Sequence, residues 1–104
     1  MRIVIYPGTF DPIHSGHIDI AERASTLFDK LIFAVAVNAD KKPLFTPKER
    51  IEMIIEAMGH VQNVEAFATE GLVADFARRH KAVALIRGLR HVSDFEFEFQ
   101  MATM

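Results

Sequence analysis

Residues 31–37, Leu-Ile-Phe-Ala-Val-Ala-Val, form an unbroken apolar run. A strand with one wet face alternates apolar and polar side chains, whereas a strand covered on both faces does not. Strands of the second kind belong to parallel sheets, whose crossover connections lay helices over both faces. The remainder of the chain supplies those crossovers. A β-branched and aromatic run, Ile3-Val4-Ile5-Tyr6, closes on Pro7-Gly8 and predicts a first strand feeding a loop. Ile20, Ala21, Ala24, Leu27 and Phe28 then keep helical spacing from a start near Ser15 or Gly16. Thr46-Pro47-Lys48-Glu49 is a capping box with proline at the first helical position, so a second helix is expected from there to about Gly59.

Residues 63–67 predict a third strand. Leu72, Val73, Phe76 and Ala77 predict a short third helix closing on Arg78-Arg79-His80-Lys81, cations that suit the negative end of a helix dipole. Residues 83–86 predict a fourth strand. From Asp94 onward a fourth helix is expected, capped by Asp94 and carrying Phe97, Met101 and Met104 on one face, although Phe95, Phe97 and Phe99 alternate as strand residues do. Four strand-helix units in strict alternation define an α/β fold, a doubly wound parallel sheet. In such sheets ligands bind outside the carboxyl ends of the strands, which directs attention to residues 8–17, 38–42 and 87–90.

Composition narrows the partners. At 104 residues, half of them hydrophobic, the chain is the size of one domain. With 12 Lys+Arg against 14 Asp+Glu its formal charge is −2, a poor match for a nucleic-acid backbone or an anionic membrane, so any anion site must be a local cluster. The absence of cysteine excludes disulfides, thiolate metal sites and a cysteine nucleophile. No apolar run approaches a membrane span, and Pro7-Gly8 interrupts the opening strand before a signal-peptide core could form; a cytoplasmic protein is expected.

The first loop reads Gly8-Thr9-Phe10-Asp11-Pro12-Ile13-His14-Ser15-Gly16-His17. Gly8 would let backbone N–H groups approach an anion, Thr9 adds a hydroxyl, Gly16 removes a Cβ where a phosphate would rest on the helix N-terminus, and His17 adds an imidazole in the first turn. His-x-x-His alone is more often a helix-start coincidence, and zinc finds neither cysteine nor a third histidine nearby. Strand, Gly-Thr-Phe-Asp-Pro and His-x-Gly-His together carry the signal. Lys41 and Lys42 by themselves read as solvated charges. Arg87, directly after an apolar strand, calls for an anion or a carboxylate.

This signature resembles that of the nucleotidyltransferase superfamily, which transfers AMP or CMP from a nucleoside triphosphate to a phosphate acceptor. Residues 85–90, Leu-Ile-Arg-Gly-Leu-Arg, the stretch Asp94-Phe95-Glu96-Phe97-Glu98, and Asp40-Lys41-Lys42-Pro43-Leu44-Phe45-Thr46 are similar to the bacterial phosphopantetheine adenylyltransferase family. The resemblance implies a Rossmann-like fold and transfer of AMP from ATP to 4′-phosphopantetheine, giving dephospho-coenzyme A and pyrophosphate. It implies His17, Lys41 and Arg90 as catalytic residues. Thr9, Lys41, Val73 and Arg87 would bind the acceptor; Thr9, Phe10, His17, Gly88, Arg90 and Glu98 would bind ATP. It further implies Mg2+ as cofactor, coenzyme A as a feedback ligand and a homo-hexamer, with neither nucleic acid nor membrane as partner. His14 is expected to have a secondary role. Members of that family continue beyond the position equivalent to Met104 into a segment with a Ser-Ser pair on the ATP phosphates, so residues 1–104 are expected to be one nucleotidyltransferase domain incomplete at its C-terminus. The competing readings are an adenylyl- or cytidylyltransferase with another acceptor, and a fragment that binds nucleotide without turnover.

Overall fold

A computed structural model describes residues 1–37 and 42–87, together with the backbone of 96–99. The elements in chain order are β1 (Ile3–Gly8), α1 (Ser15–Ser25), β2 (Lys30–Ala36), α2 (Pro47–Ala57), β3 (Val64–Thr69), α3 (Val73–Arg79), β4 (Ala84–Arg87) and β5 (Glu96–Phe99). The strands form one sheet in the order β3-β2-β1-β4-β5. The first four are mutually parallel, with Ile5 of β1 opposite Ile32 of β2 and Leu85 of β4, while β5 runs antiparallel to β4.

The apolar run that suggested a two-faced strand behaves as one. Leu31, Phe33 and Val35 face a cluster with Ile20, Ala21 and Ala24 of α1 and Ile54 of α2, whereas Ile32 and Ala34 pack on the opposite side with Phe76 of α3. Helices thus cover both faces, α1 and α2 on one and α3 on the other. Both long helices open on reciprocal caps. At α2, Thr46 Oγ1 accepts from Glu49 N–H at 3.1 Å and Glu49 Oε1 accepts from Thr46 N–H at 2.9 Å, with Pro47 in the first turn. That is the box legible in the sequence.

Two expectations are corrected. β1 runs through Pro7 and Gly8, which pair in register with Ala34 and Val35, instead of ending before them. The larger difference is at the end of the chain: residues 96–99 are a strand, β5, and not part of a fourth helix. Three strand-helix units are therefore followed by an antiparallel β4-β5 pair. Two patterns compete in residues 95–104, a helical face through Phe97, Met101 and Met104 and an alternation through Phe95, Phe97 and Phe99. The open edge of β4 decides between them, because its N–H and C=O groups need a partner that a strand supplies and a helix does not. The expected cap at Asp94, with Met101 and Met104, lies outside the described residues.

Candidate functional site

The strand order places β1 at the centre, with the chain first winding outward through β2 and β3 and then returning to the other side of β1 as β4. The C-terminal ends of β1 and β4 therefore flank a topological switch point, where a doubly wound sheet leaves a crevice. Thr9 and the loop leading to His17 follow β1, and Arg87 is the last residue of β4. Of the residues expected at the site, Thr9, Phe10, His17, Val73 and Arg87 are among those described. Lys41, Gly88 and Arg90 lie outside them, as does the side chain of Glu98. Thr9 and Arg87 are exposed, His17 is half-buried, and Val73 is the first residue of α3; it is not among the residues, Val37, Thr69, Gly71 and Arg79 among them, that line a groove of about 650 Å³.

The two histidines are built into the start of α1. His14 is the N-cap: its Nδ1 accepts from Gly16 N–H at 3.1 Å, and His14 N–H in turn donates to Nδ1 of His17 at 3.1 Å. The two rings stack with centroids 3.6 Å apart. This is a capping box made of imidazoles, with the geometry usually supplied by Ser/Thr and Glu/Gln. Because Nδ1 of His17 accepts a hydrogen bond, the ring's proton belongs on Nε2, which makes Nε2–H the outward donor of the neutral ring. Phe10 meets that ring edge-on at 4.8 Å, and Tyr6 lies at 6.1 Å. Burial, then the neighbouring His14, push the His17 pKa down to about 4. The imidazole is therefore neutral at pH 7, and what it can offer a ligand is a hydrogen-bond donor and not a cation.

Phe10 is not a surface residue. It is 2% exposed, wedged against Tyr6 and Phe33 with centroids 5.1 and 5.0 Å away. The wedge requires a left-handed backbone, φ +47°, which is uncommon for a bulky residue and marks a held position. With its ring in the core, Phe10 could meet a nucleotide only through its backbone. Phe10 also explains Gly8. A Cβ there would lie 3.1 Å from Cε2 and Cζ of the Phe10 ring, so the glycine makes room for the wedge, where the sequence suggested room for an anion. Gly16 is similar: a Cβ would lie 3.0 Å from Cε1 of His14, so the space left by that glycine belongs to the capping imidazole.

The segment entering α2 ties the loops together. Asp11 accepts from Leu44 N–H at 2.7 Å and from Phe45 N–H at 2.9 Å. Arg50, 3% exposed, donates from Nη1 to the carbonyls of Thr9 at 2.9 Å and Ala36 at 3.1 Å. Its Nε is buried without a hydrogen-bond partner. Sequence reasoning passed over Arg50, yet a signal was present. Arg50 and Ile54 share the inward stripe of α2 at i, i+4 spacing, continued by Met58 at the C-cap, and an arginine on an apolar stripe demands acceptors.

Among the described residues, no group of three His, Cys, Asp or Glu could hold a metal ion, and no helix is long and apolar enough to cross a membrane. The switch point, a hydroxyl, a neutral imidazole donor in a helix's first turn and a terminal strand arginine together fit a Rossmann-like fold of nucleotidyltransferase type. Comparison with known proteins narrows this class: residues 5–104 match the cytidylyltransferase-like family, and the chain belongs to it. Over its full length it is 55% identical to the phosphopantetheine adenylyltransferase of Heliobacterium modesticaldum, and 52% and 53% identical to those of two Clostridium botulinum strains. It spans 62% of the first relative's length and 65% of the other two. Among solved structures it resembles a lipopolysaccharide core biosynthesis protein from Thermoplasma volcanium, with a TM-score of 0.67 and 27% identity over 82% of this chain and 72% of that one.

Proposed function

We propose that this chain provides the catalytic site for transfer of AMP from ATP to 4′-phosphopantetheine. An oxygen of the acceptor's phosphate attacks the α-phosphorus of ATP, the bond to the bridging α,β-oxygen breaks, and pyrophosphate leaves while dephospho-coenzyme A forms. The attacking phosphate is already a competent nucleophile, so the protein must align the reactants and meet the charge that develops on the phosphoryl oxygens. Nε2–H of His17 is the donor suited to that charge, since its tautomer and orientation are fixed before substrate arrives. The Thr9 hydroxyl would serve both phosphates, Phe10 would contribute its backbone N–H, and Arg87 would face the acceptor's phosphate. Lys41 and Arg90 complete the catalytic set in this reading, with Gly88 and Glu98 on the ATP side and Val73 on the pantetheine arm.

The observation that carries the reading is the His14–His17 box at the switch point, in a chain more than 50% identical to proteins named for this activity. Magnesium would enter as the companion of the triphosphate. Among the described residues no group of three His, Cys, Asp or Glu would hold the ion by itself, so in this reading the substrate's phosphates and water would supply most of its ligands. A homo-hexamer, a cytoplasmic location and feedback by coenzyme A belong to the same proposal.

Pyrophosphate release decides it, measured with ATP or CTP against 4′-phosphopantetheine, nicotinate mononucleotide and other phosphorylated acceptors. Release with ATP and 4′-phosphopantetheine alone is expected. Turnover only with CTP, or only with another acceptor, would overturn it. Binding of ATP with no release for any acceptor would favour a nucleotide-binding module.

A further inference from the structure

We propose that Arg50 is a positioning residue that orients the Thr9–Phe10 peptide of the first loop toward an anion. The proposal rests on the adenylyl-transfer reading only for its kinetic consequence. Arg50 stands on the core side of α2, almost wholly buried, and a guanidinium taken out of water at such a place needs acceptors. One nitrogen, Nη1, finds two: the carbonyls of Thr9, just past β1, and Ala36, at the end of β2. No carboxylate pairs with it among the described residues. The charge is spent on backbone carbonyls at the carboxyl ends of two adjacent central strands, where a doubly wound sheet binds its ligand.

The consequence is electrostatic as well as mechanical. A carbonyl oxygen aimed at a phosphate would repel it; the Thr9 carbonyl is aimed at Arg50 instead. The Thr9–Phe10 peptide is trans, so the Phe10 N–H points the opposite way from that carbonyl. Fixing the carbonyl therefore fixes a backbone donor facing away from the core, and it holds Phe10 at its left-handed φ of +47° with the ring against His17. Asp11, by accepting from Leu44 and Phe45 N–H, ties the other side of the same loop to the chain entering α2. One helix start thus sets the aim of the loop after β1.

The test compares the protein with Arg50→Gln and Arg50→Lys, first by readouts that need no turnover. In ¹⁵N-labelled protein, inorganic pyrophosphate is expected to shift the Phe10 amide resonance. Arg50→Gln should abolish most of that shift and raise the His17 titration midpoint from about 4 toward 6.5, as Phe10 loosens from the imidazole. Arg50→Lys keeps a buried cation that can reach one carbonyl, and should preserve part of both. A Phe10 amide response and a His17 midpoint unchanged in Arg50→Gln would overturn the proposal. So would failure of both variants to fold, which would leave Arg50 a purely structural residue; if only Arg50→Gln fails, Arg50→Lys decides by the same two signals. Where the unsubstituted protein releases pyrophosphate, Arg50→Gln should lower kcat about tenfold or more with the KM for ATP within about twofold. Absence of release by the unsubstituted protein counts against the proposed function alone, because the amide and imidazole signals still test Arg50.

Discussion

The charge state of His17 can be tested through stability as well as spectroscopy. Its pKa in the folded chain is about 4, against 6.5 for an ordinary imidazole, because burial and His14 disfavour the cation. At pH 5 an ordinary histidine is about 97% protonated and His17 about 10%. The sign follows from linkage. The unfolded chain binds a proton at this position that the folded chain refuses, so the contribution is fully present above about pH 6.5 and is lost as pH falls toward about 4. A fully buried group with this gap would contribute about 3 kcal/mol; the half-buried ring is screened by water, which reduces the expectation to ~1–2 kcal/mol. The informative variant is His17→Gln. A glutamine at this position of the box can still accept from His14 N–H and donate outward, but it does not titrate. Urea unfolding at pH 7.5 and 4.5 should therefore show the unsubstituted protein losing ~1–2 kcal/mol more than His17→Gln. NMR titration of the ring should show a midpoint near 4 with the proton on Nε2. Equal pH dependence in the two proteins, or a midpoint at 6 or above, would refute the neutral-donor argument.

The other predictions concern the same loop and its supports. His17→Ala should lower kcat about 100-fold or more with little change in KM, since its hydrogen bond is needed chiefly in the transition state, while His17→Gln should retain a larger share; steady-state pyrophosphate release checks both, and equal losses in binding and rate would count against that role. Gly8→Ala should destabilise by about 1–3 kcal/mol in chemical unfolding, because the new methyl meets the buried Phe10 ring at 3.1 Å. Thr46→Ala should cost ~1 kcal/mol, read in the same experiment, by removing the oxygen that accepts from Glu49 N–H.

Legibility in the sequence followed the physical nature of each signal. Periodicity and caps are local, and they located β1, α1, β2, α2 and α3, including the Thr46–Glu49 box that the structure contains. Residues 96–99 were harder because their state is set from outside: two internal patterns compete, and the unpaired edge of β4, distant in sequence, selects the strand. The glycines were legible as close approaches but not as to what approaches. Gly8 and Gly16 are filled by the rings of Phe10 and His14, residues two positions away in each case, whereas the sequence suggested a phosphate. Arg50 shows the same limit from the other side. Its place on an apolar stripe was readable, but its acceptors, 41 and 14 residues back along the chain, exist only once β1 and β2 lie side by side.

The histidine pair joins these strands of argument. In the sequence, His17 stands as a candidate donor to a phosphate and His14 as its secondary neighbour, because histidine chemistry is usually directed outward. In the fold one hydrogen bond, from His14 N–H to Nδ1 of His17, caps the start of the helix and also decides which nitrogen keeps the proton. The cap and the donor are therefore inseparable: a substitution that leaves the helix capped but changes the acceptor at residue 17 changes what that side chain can offer a substrate, and one that removes the acceptor loosens both. A carboxylate there, His17→Glu, would satisfy the box as well as any glutamine and bring a negative charge to the anion site. It is expected to keep the helix start folded at a cost of about 1–2 kcal/mol in chemical unfolding, from the lost ring contacts with His14 and Phe10 and the partly desolvated carboxylate, while abolishing pyrophosphate release. Measurable turnover by that variant would show that the switch point does not bind phosphate through this helix start.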